Sequence, residues 1–237
     1  TASRIGLIGG GSNPHPGEIS LAHLGVLFLD EFPEFPRGAL EALRQPMEDG
    51  VVTISRAAGS VTYPAAFMLV AAANPCPCGF LGDAKRECKC SPRMIMRYQA
   101  KLSGPLMDRI DLHIQVPAVD IDKLIAAPGA GIRQKLETSD KVRERVKRAK
   151  EIQIKRFKGA KIFTNSQMQN RDIKKFCRIE PGAQRILKQA VSSYNLSART
   201  YFRLIKVSQT IVDLAGDTSI GPAHVAEALQ YRVRIQE

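Results

Sequence analysis

The sequence predicts an α/β domain followed by an all-α region, and three observations carry that expectation. Short unbroken apolar runs, Val26-Leu27-Phe28-Leu29 and Phe67 to Ala73, read as buried strands, because a parallel strand covered on both faces has no polar side. Alternating residues bounded by turn formers lie between them and read as a hairpin, and beyond Pro117 the apolar residues recur at helical spacing.

Gly9-Gly10-Gly11-Ser12 runs into Asn13-Pro14-His15-Pro16 and reads as a flexible loop. It does not cradle phosphate, since no Lys follows it and the prolines prevent a helix from opening there. Next, Val26 to Leu29 delivers Asp30 and Glu31 to the C-terminal edge of a strand, where open α/β sheets place their ligands. A carboxylate pair there suits a Mg²⁺ ligand, Asp30, and a water-activating base, Glu31. A core strand that ends in a polar turn has the same six residues. Leu40 to Met47 reads as a short helix, and Glu48-Asp49-Gly50 as a turn. Val51 to Ser55 and Val61 to Tyr63 then pair as a hairpin, with Arg56 near its tip. The second apolar strand ends at Asn74, whose amide either positions a lytic water or merely forms a turn.

Four of the five cysteines form two C-x-C pairs, Cys76-Pro77-Cys78 and Cys88-Lys89-Cys90, with nine residues between them. Two thiolate pairs closing so short a loop suit a tetrahedral structural zinc site, while disulfides and free thiols are the competing readings. Lys85 and Arg86 would offset part of the cluster's negative charge. Arg109 stands between Asp108 and Asp111, either as a local ion pair or as a finger donated to a nucleotide on an adjacent subunit. After a break at Pro128-Gly129-Ala130-Gly131, Thr138 or Ser139 caps a long helix reaching about Phe157. Its apolar stripe (Val142, Val146, Ala149, Ile152) is narrow and its other faces are basic, so it reads as an exposed, projecting helix. Helices near 182–194, 197–215 and 221–232 follow, separated by Asn, Gly and Pro, as a compact bundle. Arg199 projects from a first helical turn, where a cation gains nothing from the helix dipole and would serve phosphate; Arg203, one turn on, competes for that role. Cys177 reads as a buried apolar residue at a helix end. The expected domains are 1–117, 118–165 and 166–237.

The 35 basic and 23 acidic residues leave a net charge of +12, which favours a polyanionic partner. No apolar run spans a bilayer, and nothing marks a secreted chain, so no membrane partner and a cytoplasmic location are expected.

Together GVLFLDEF, the strand ending in Asn74, PLMDRIDLHI and SARTYFRLIKVSQTIVDLAG resemble the magnesium-chelatase-like AAA+ ATPases, most closely the ComM (YifB) family. GGGSNPHPGEISLAHLGVLFLDE and the Cys76 to Cys90 segment strengthen the likeness, which covers essentially the whole chain. The resemblance implies a partial AAA+ core, a pre-sensor 2-type basic helix and a helical lid. It makes Asp30 and Glu31 the Walker B pair, Asn74 sensor 1, Arg109 the trans-acting finger and Arg199 sensor 2. It places Arg56 on the pre-sensor 1 hairpin and Gly9, Gly10 and Gly11 in the helix 2 insert, both facing DNA in a ring pore. ATP and Mg²⁺ are the implied cofactors, beside the zinc read from the cysteines, and the implied assembly is a hexameric ring. No G-x-x-x-x-G-K-[ST] segment is present, nor the family's Lon-protease-like domain, so a longer parent is expected to carry the phosphate cradle. Three functions follow as expectations: an ATP-driven DNA helicase or branch-migration motor of natural transformation, a chelatase ATPase driving Mg²⁺ into a porphyrin, and a non-catalytic, zinc-bearing DNA-binding module.

Overall fold

The computed structural model describes residues 3–11, 14–56, 59–83, 85–116 and 137–232, with the Arg56 side chain outside that set. The chain divides into two compact units, Thr1–Ile110 and Asp111–Glu237, each with its own apolar core.

In the first unit α1 (Arg4–Ile8), β1 (Gly9–Gly10), β2 (His15–Pro16) and α2 (Glu18–Leu21) precede β3 (Val26–Leu29). Helices α3 (Arg37–Ala42) and α4 (Pro46–Asp49), strands β4 (Val51–Arg56), β5 (Gly59–Pro64) and β6 (Met68–Ala71), and helices α5 (Pro92–Gln99) and α6 (Gly104–Met107) complete it. The predicted hairpin is β4 and β5, antiparallel from Val51 opposite Pro64 to Arg56 opposite Gly59. Its exposed face is joined by hydroxyl pairs, Thr53 to Thr62 at 3.0 Å and Ser55 to Ser60 at 3.1 Å. The two apolar runs pair with each other as parallel neighbours, Val26 opposite Met68 through Leu29 opposite Ala71.

Three expectations change. The strands are not buried on both faces: Leu27 and Leu29 enter the core, whereas Val26, Phe28 and Met68 are 54%, 59% and 60% exposed. Only two strands pair in this sheet, and no described element covers its second face. The helix expected over 40–47 is two short ones, because Pro46 has no N–H to continue the first and instead opens α4. Gly9 to Gly11 is not simply a flexible loop: Gly9 and Gly10 pair antiparallel with Pro16 and His15. Gly9 has φ 96°, and a Cβ there would stand 2.2 Å from the His15 carbonyl oxygen and 2.8 Å from the Gly17 nitrogen, so only glycine fits.

The second unit holds α7 (Ser139–Arg156), α8 (Asn170–Phe176), α9 (Pro181–Tyr194), α10 (Ala198–Ala215) and α11 (Pro222–Gln230). Residues 128–131, where a break was expected, lie outside the described residues. Helix α7 is exposed along most of its length and buries Ala149 and Gln153, but its C-terminal part packs on α10 and does not project freely. The bundle ends where its sequence predicts: Asn195 terminates α9 with φ 45°, Ser197 caps α10 by accepting the Thr200 N–H at 3.2 Å, and Gly216 closes it with φ 82°. Residues 113–116 form no strand; the His113 N–H donates to the Tyr231 carbonyl at 2.7 Å. Cys177 follows α8 beside the core, where burial pushes its thiol up to about 11. Among the described residues no helix is long and apolar enough to cross a membrane.

A polar cluster ties α7 to α10. Arg156 clamps the fully buried Asp213 with both guanidinium nitrogens, one contact measuring 2.8 Å, and also donates to Asn165 Oδ1 at 2.9 Å. Asn165 Nδ2 and Gln209 Nε2 satisfy the remaining carboxylate capacity at 2.8 and 3.2 Å. Removing one partner of such a cluster strands a buried charge. Asp213→Ala is therefore expected to destabilise the second unit by about 3–5 kcal/mol, read by urea denaturation, while Asp140→Ala on the exposed end of α7 changes stability by less than about 0.5 kcal/mol.

Candidate functional site

Asp30 and Glu31 leave the end of β3 as predicted, and both are exposed. The strand is stopped by its own chemistry. Glu31 adopts the left-handed conformation with φ 48°, unusual for a residue with a Cβ, and Asp30 Oδ1 accepts its N–H at 2.8 Å. Phe32 then plugs the core, and its N–H donates to the Ala72 carbonyl at 2.8 Å. The Ala72 N–H donates back to the Leu29 carbonyl at 2.9 Å. The sheet pairing is thereby extended past both strand ends, and Asn74 leaves the rim two residues beyond Ala72.

The Asn74 side chain is exposed, and its backbone lies beside the Tyr98 hydroxyl on α5, where it favours the ionised phenol. Desolvation raises the Tyr98 pKa, and the nearby charges of Glu34, Cys76 and Glu31 reinforce the shift. Tyr98 thus belongs to the neighbourhood of both strand ends, a residue that sequence reading passed over. The signal was present in Ser91-Pro92: Ser91 caps α5 by accepting the Met94 N–H at 3.3 Å, and Pro92 is the favoured opening residue.

The four clustered cysteines converge. Their sulfurs lie within 4.8 Å of one another, with Cys76 to Cys78 at 3.4 Å, Cys78 to Cys88 at 3.6 Å and Cys76 to Cys88 at 3.7 Å. Four zinc–sulfur bonds of about 2.3 Å in a tetrahedron require sulfur separations of about 3.8 Å, so the donor set fits that ion. A disulfide needs about 2.05 Å, and all five cysteines are free thiols. The Phe80 N–H, donated to Cys78, is the main cause holding that thiol down to about 6. At Cys88 the Cys90 N–H favours the thiolate, but desolvation and the Cys78 and Cys76 thiols outweigh it and push Cys88 up to about 12. The loop between the pairs is shaped by Gly79 and Gly82, both with φ 82°, and by Asp83 Oδ1, which accepts the Lys85 and Arg86 N–H groups at 2.7 and 3.0 Å. Arg86 stacks over the Phe80 ring at 5.2 Å.

Arg109 is mostly buried. Its Nη2 lies 2.5 Å from Glu48 Oε1, and its Nη1 donates to the Pro105 carbonyl at 2.5 Å. Glu48, distant in sequence, is an ion-pair partner, and the charge of the adjacent Asp108 also acts on the guanidinium. Asp111 instead holds Arg203 at 2.8 Å. Arg199 stands half-buried in the first turn of α10. Arg56 closes the β4–β5 hairpin through backbone pairing with Gly59, and its side chain is outside the described residues.

A small parallel strand pair in the first unit, with a hairpin beside it in sequence, and a helical second unit are the features of a partial AAA+-like fold. Residues 1–124 match the family described as magnesium chelatase, subunit ChlI, and residues 136–232 match its C-terminal counterpart, so the chain belongs to the magnesium-chelatase-like family, in the ComM/YifB group. It is 46% identical to the competence protein ComM of Haemophilus influenzae over 100% of this chain and 44% of that protein. It is 41% identical to the uncharacterized protein YifB of Escherichia coli, over 98% of this chain and 44% of the relative. A more distant likeness, 24% over 90% of this chain and 25% of the other, joins it to the maternal DNA replication licensing factor mcm6 of Xenopus tropicalis. The chain therefore spans less than half the length of these relatives.

The thiol geometry yields a direct expectation. Metal-stripped chain titrated with zinc(II) binds one ion per chain and releases protons, whereas Cys76→Ser weakens binding at least about tenfold. Inductively coupled plasma analysis and a competing chromophoric chelator measure both.

Proposed function

We propose that the chain is the Walker B-to-lid part of an ATP-driven motor acting on DNA. The observation that carries this reading is the parallel pairing of β3 with β6, which brings Asp30 and Glu31 to the same sheet rim as Asn74. Exposed carboxylate oxygens at such a rim suit a hard divalent cation, and Asp30 would hold Mg²⁺ there. Bound Mg²⁺ would neutralise charge on the phosphates. Glu31 orients the attacking water and accepts its proton, and Asn74 fixes that water through its side-chain amide. Arg109 serves the nucleotide of a neighbouring subunit in a hexameric ring, and to do so it exchanges Glu48 for phosphate oxygens. Arg199, in the first turn of α10, is the sensor 2 residue, and Arg203, one turn on and paired with Asp111, is the rival. A zinc ion on Cys76, Cys78, Cys88 and Cys90 stabilises the loop behind Asn74.

DNA as the partner is supported by the +12 net charge and by the likeness to a DNA replication licensing factor. The Arg56 hairpin and the Gly9 to Gly11 pairing would contact the strand. Helix α7 adds exposed Lys141, Lys147 and Lys150 to the basic surface. The matching family's own description favours a second reading, an ATPase driving Mg²⁺ into a porphyrin. Strand-displacement and porphyrin-metallation assays on the full-length protein separate the two, and the DNA reading is abandoned if only metallation occurs.

Two outcomes test the proposal. In the full-length protein Glu31→Gln retains ATP binding and loses turnover by about a hundredfold or more, and undiminished steady-state hydrolysis would remove Glu31 from the chemistry. Binding of the chain to a fluorescent oligonucleotide falls steeply between about 50 and 200 mM salt and is weakened by Arg56→Ala; salt-insensitive binding contradicts a phosphate-reading surface.

A further inference from the structure

We infer that the four-cysteine centre is a clamp that fixes the position of Asn74 at the sheet rim. The inference builds on the role proposed above for Asn74, and it comes from a closed path of contacts that starts and ends at that residue.

From Asn74 the chain passes through Pro75, whose ring restricts the backbone, to Cys76, which is fully buried. Cys76 reaches Cys78 and Cys88 through sulfur contacts of 3.4 and 3.7 Å, and Cys90 belongs to the same cluster. Cys90 directly precedes Ser91, the cap of α5. Helix α5 then returns to the start. Gln99 Nε2 donates to the Pro75 carbonyl at 3.3 Å, and the Tyr98 hydroxyl lies beside the Asn74 backbone.

Each side of this ring has a different strength. Backbone pairing holds Ala72 to Leu29 and Phe32, but Asn74 lies beyond it, and its exposed side chain stands beside Gly79 of the cysteine loop. The Gln99 and Tyr98 contacts fasten the backbone there to the C-terminal end of α5. Among the described residues, the sulfur contacts fasten the N-terminal end of α5 back to Cys76. Thiols make weak hydrogen bonds, so without a cation this side of the ring is loose. Four thiolates on one zinc(II) ion replace it with coordinate bonds and make the ring rigid. Cys76, Cys78, Cys88 and Cys90 are then positioning residues for Asn74, and Tyr98 and Gln99 transmit the constraint.

Hydrogen–deuterium exchange on the intact 237-residue chain tests the clamp without requiring any turnover. Removing zinc(II) with a chelator is expected to speed exchange in the segment 72–76 and at 98–100 at least tenfold, while the α9–α11 bundle exchanges at an unchanged rate and reports that the chain remains folded. Cobalt(II) added in place of zinc(II) restores protection and gives the intense thiolate-to-metal absorption of a tetrahedral sulfur site. Tyr98→Phe speeds exchange at Asn74 with zinc(II) still bound. Unchanged exchange at 72–76 after zinc(II) loss, or no binding of either ion, overturns the clamp. In the full-length protein, zinc(II) removal lowers kcat for ATP with KM little changed. Faster exchange at 72–76 with normal kcat leaves the clamp standing and removes Asn74 from hydrolysis, so the two failures are distinguishable.

Discussion

Parallel pairing between β3 and β6 is the constraint on which the rest of the first unit depends, because it makes neighbours of residues about forty positions apart. Register matters as much as pairing. With Leu29 opposite Ala71, and with the Phe32 and Ala72 backbone bonds continuing the ladder, the acids at 30 and 31 and the amide at 74 leave the sheet at one rim. A slip by one residue would turn Leu27 and Leu29 out of the core and carry the carboxylates away from Asn74. The buried Leu27, Leu29 and Phe32 side chains resist that slip, each contributing about 1.5–3 kcal/mol of apolar burial.

Around that rim, polar contacts hold the connecting segments in place. Ser103 Oγ donates to Glu41 Oε1 at 2.7 Å, and Lys101 meets Glu34 at 3.0 Å, which docks the α5–α6 connection on the turn and helix that follow β3. The Arg109 pair with Glu48 adds a third tie to the same region, at the end of α4. Desolvation lowers the Arg109 pKa, yet the guanidinium stays charged at any physiological pH. A charged group held in this way exchanges partners readily only when another anion of comparable reach arrives, which is what a phosphoryl group on a neighbour would supply.

Much of this was legible in the sequence because local chemistry and fold agree. The hairpin, the strand that ends in two acids and the three bundle helices all carry explicit start and stop residues, whereas Thr138 stands at the start of α7 without a side-chain cap bond. The cysteine spacing announced a cluster, and the sulfurs converge. What the sequence did not reveal had physical reasons. The apolar runs report what a strand is built to be covered by, not what covers it, so Val26, Phe28 and Met68 read as buried and stand exposed. The Gly9 and Gly17 backbones touch through an approach that only the absent side chains permit, a contact that no periodicity encodes. Partner choice was equally hidden: nothing in the local sequence announces that Glu48 reaches the Arg109 guanidinium or that Asp111 pairs with Arg203.

The central claim is that the ends of β3 and β6 act as one chemical site. A double-mutant cycle on ATP turnover by the full-length protein, with Glu31→Gln, Asn74→Ala and the combination, tests it most directly. If both side chains serve the same water, the combined variant loses little more activity than Glu31→Gln alone. Losses that simply multiply would show two independent contributions and would contradict the account.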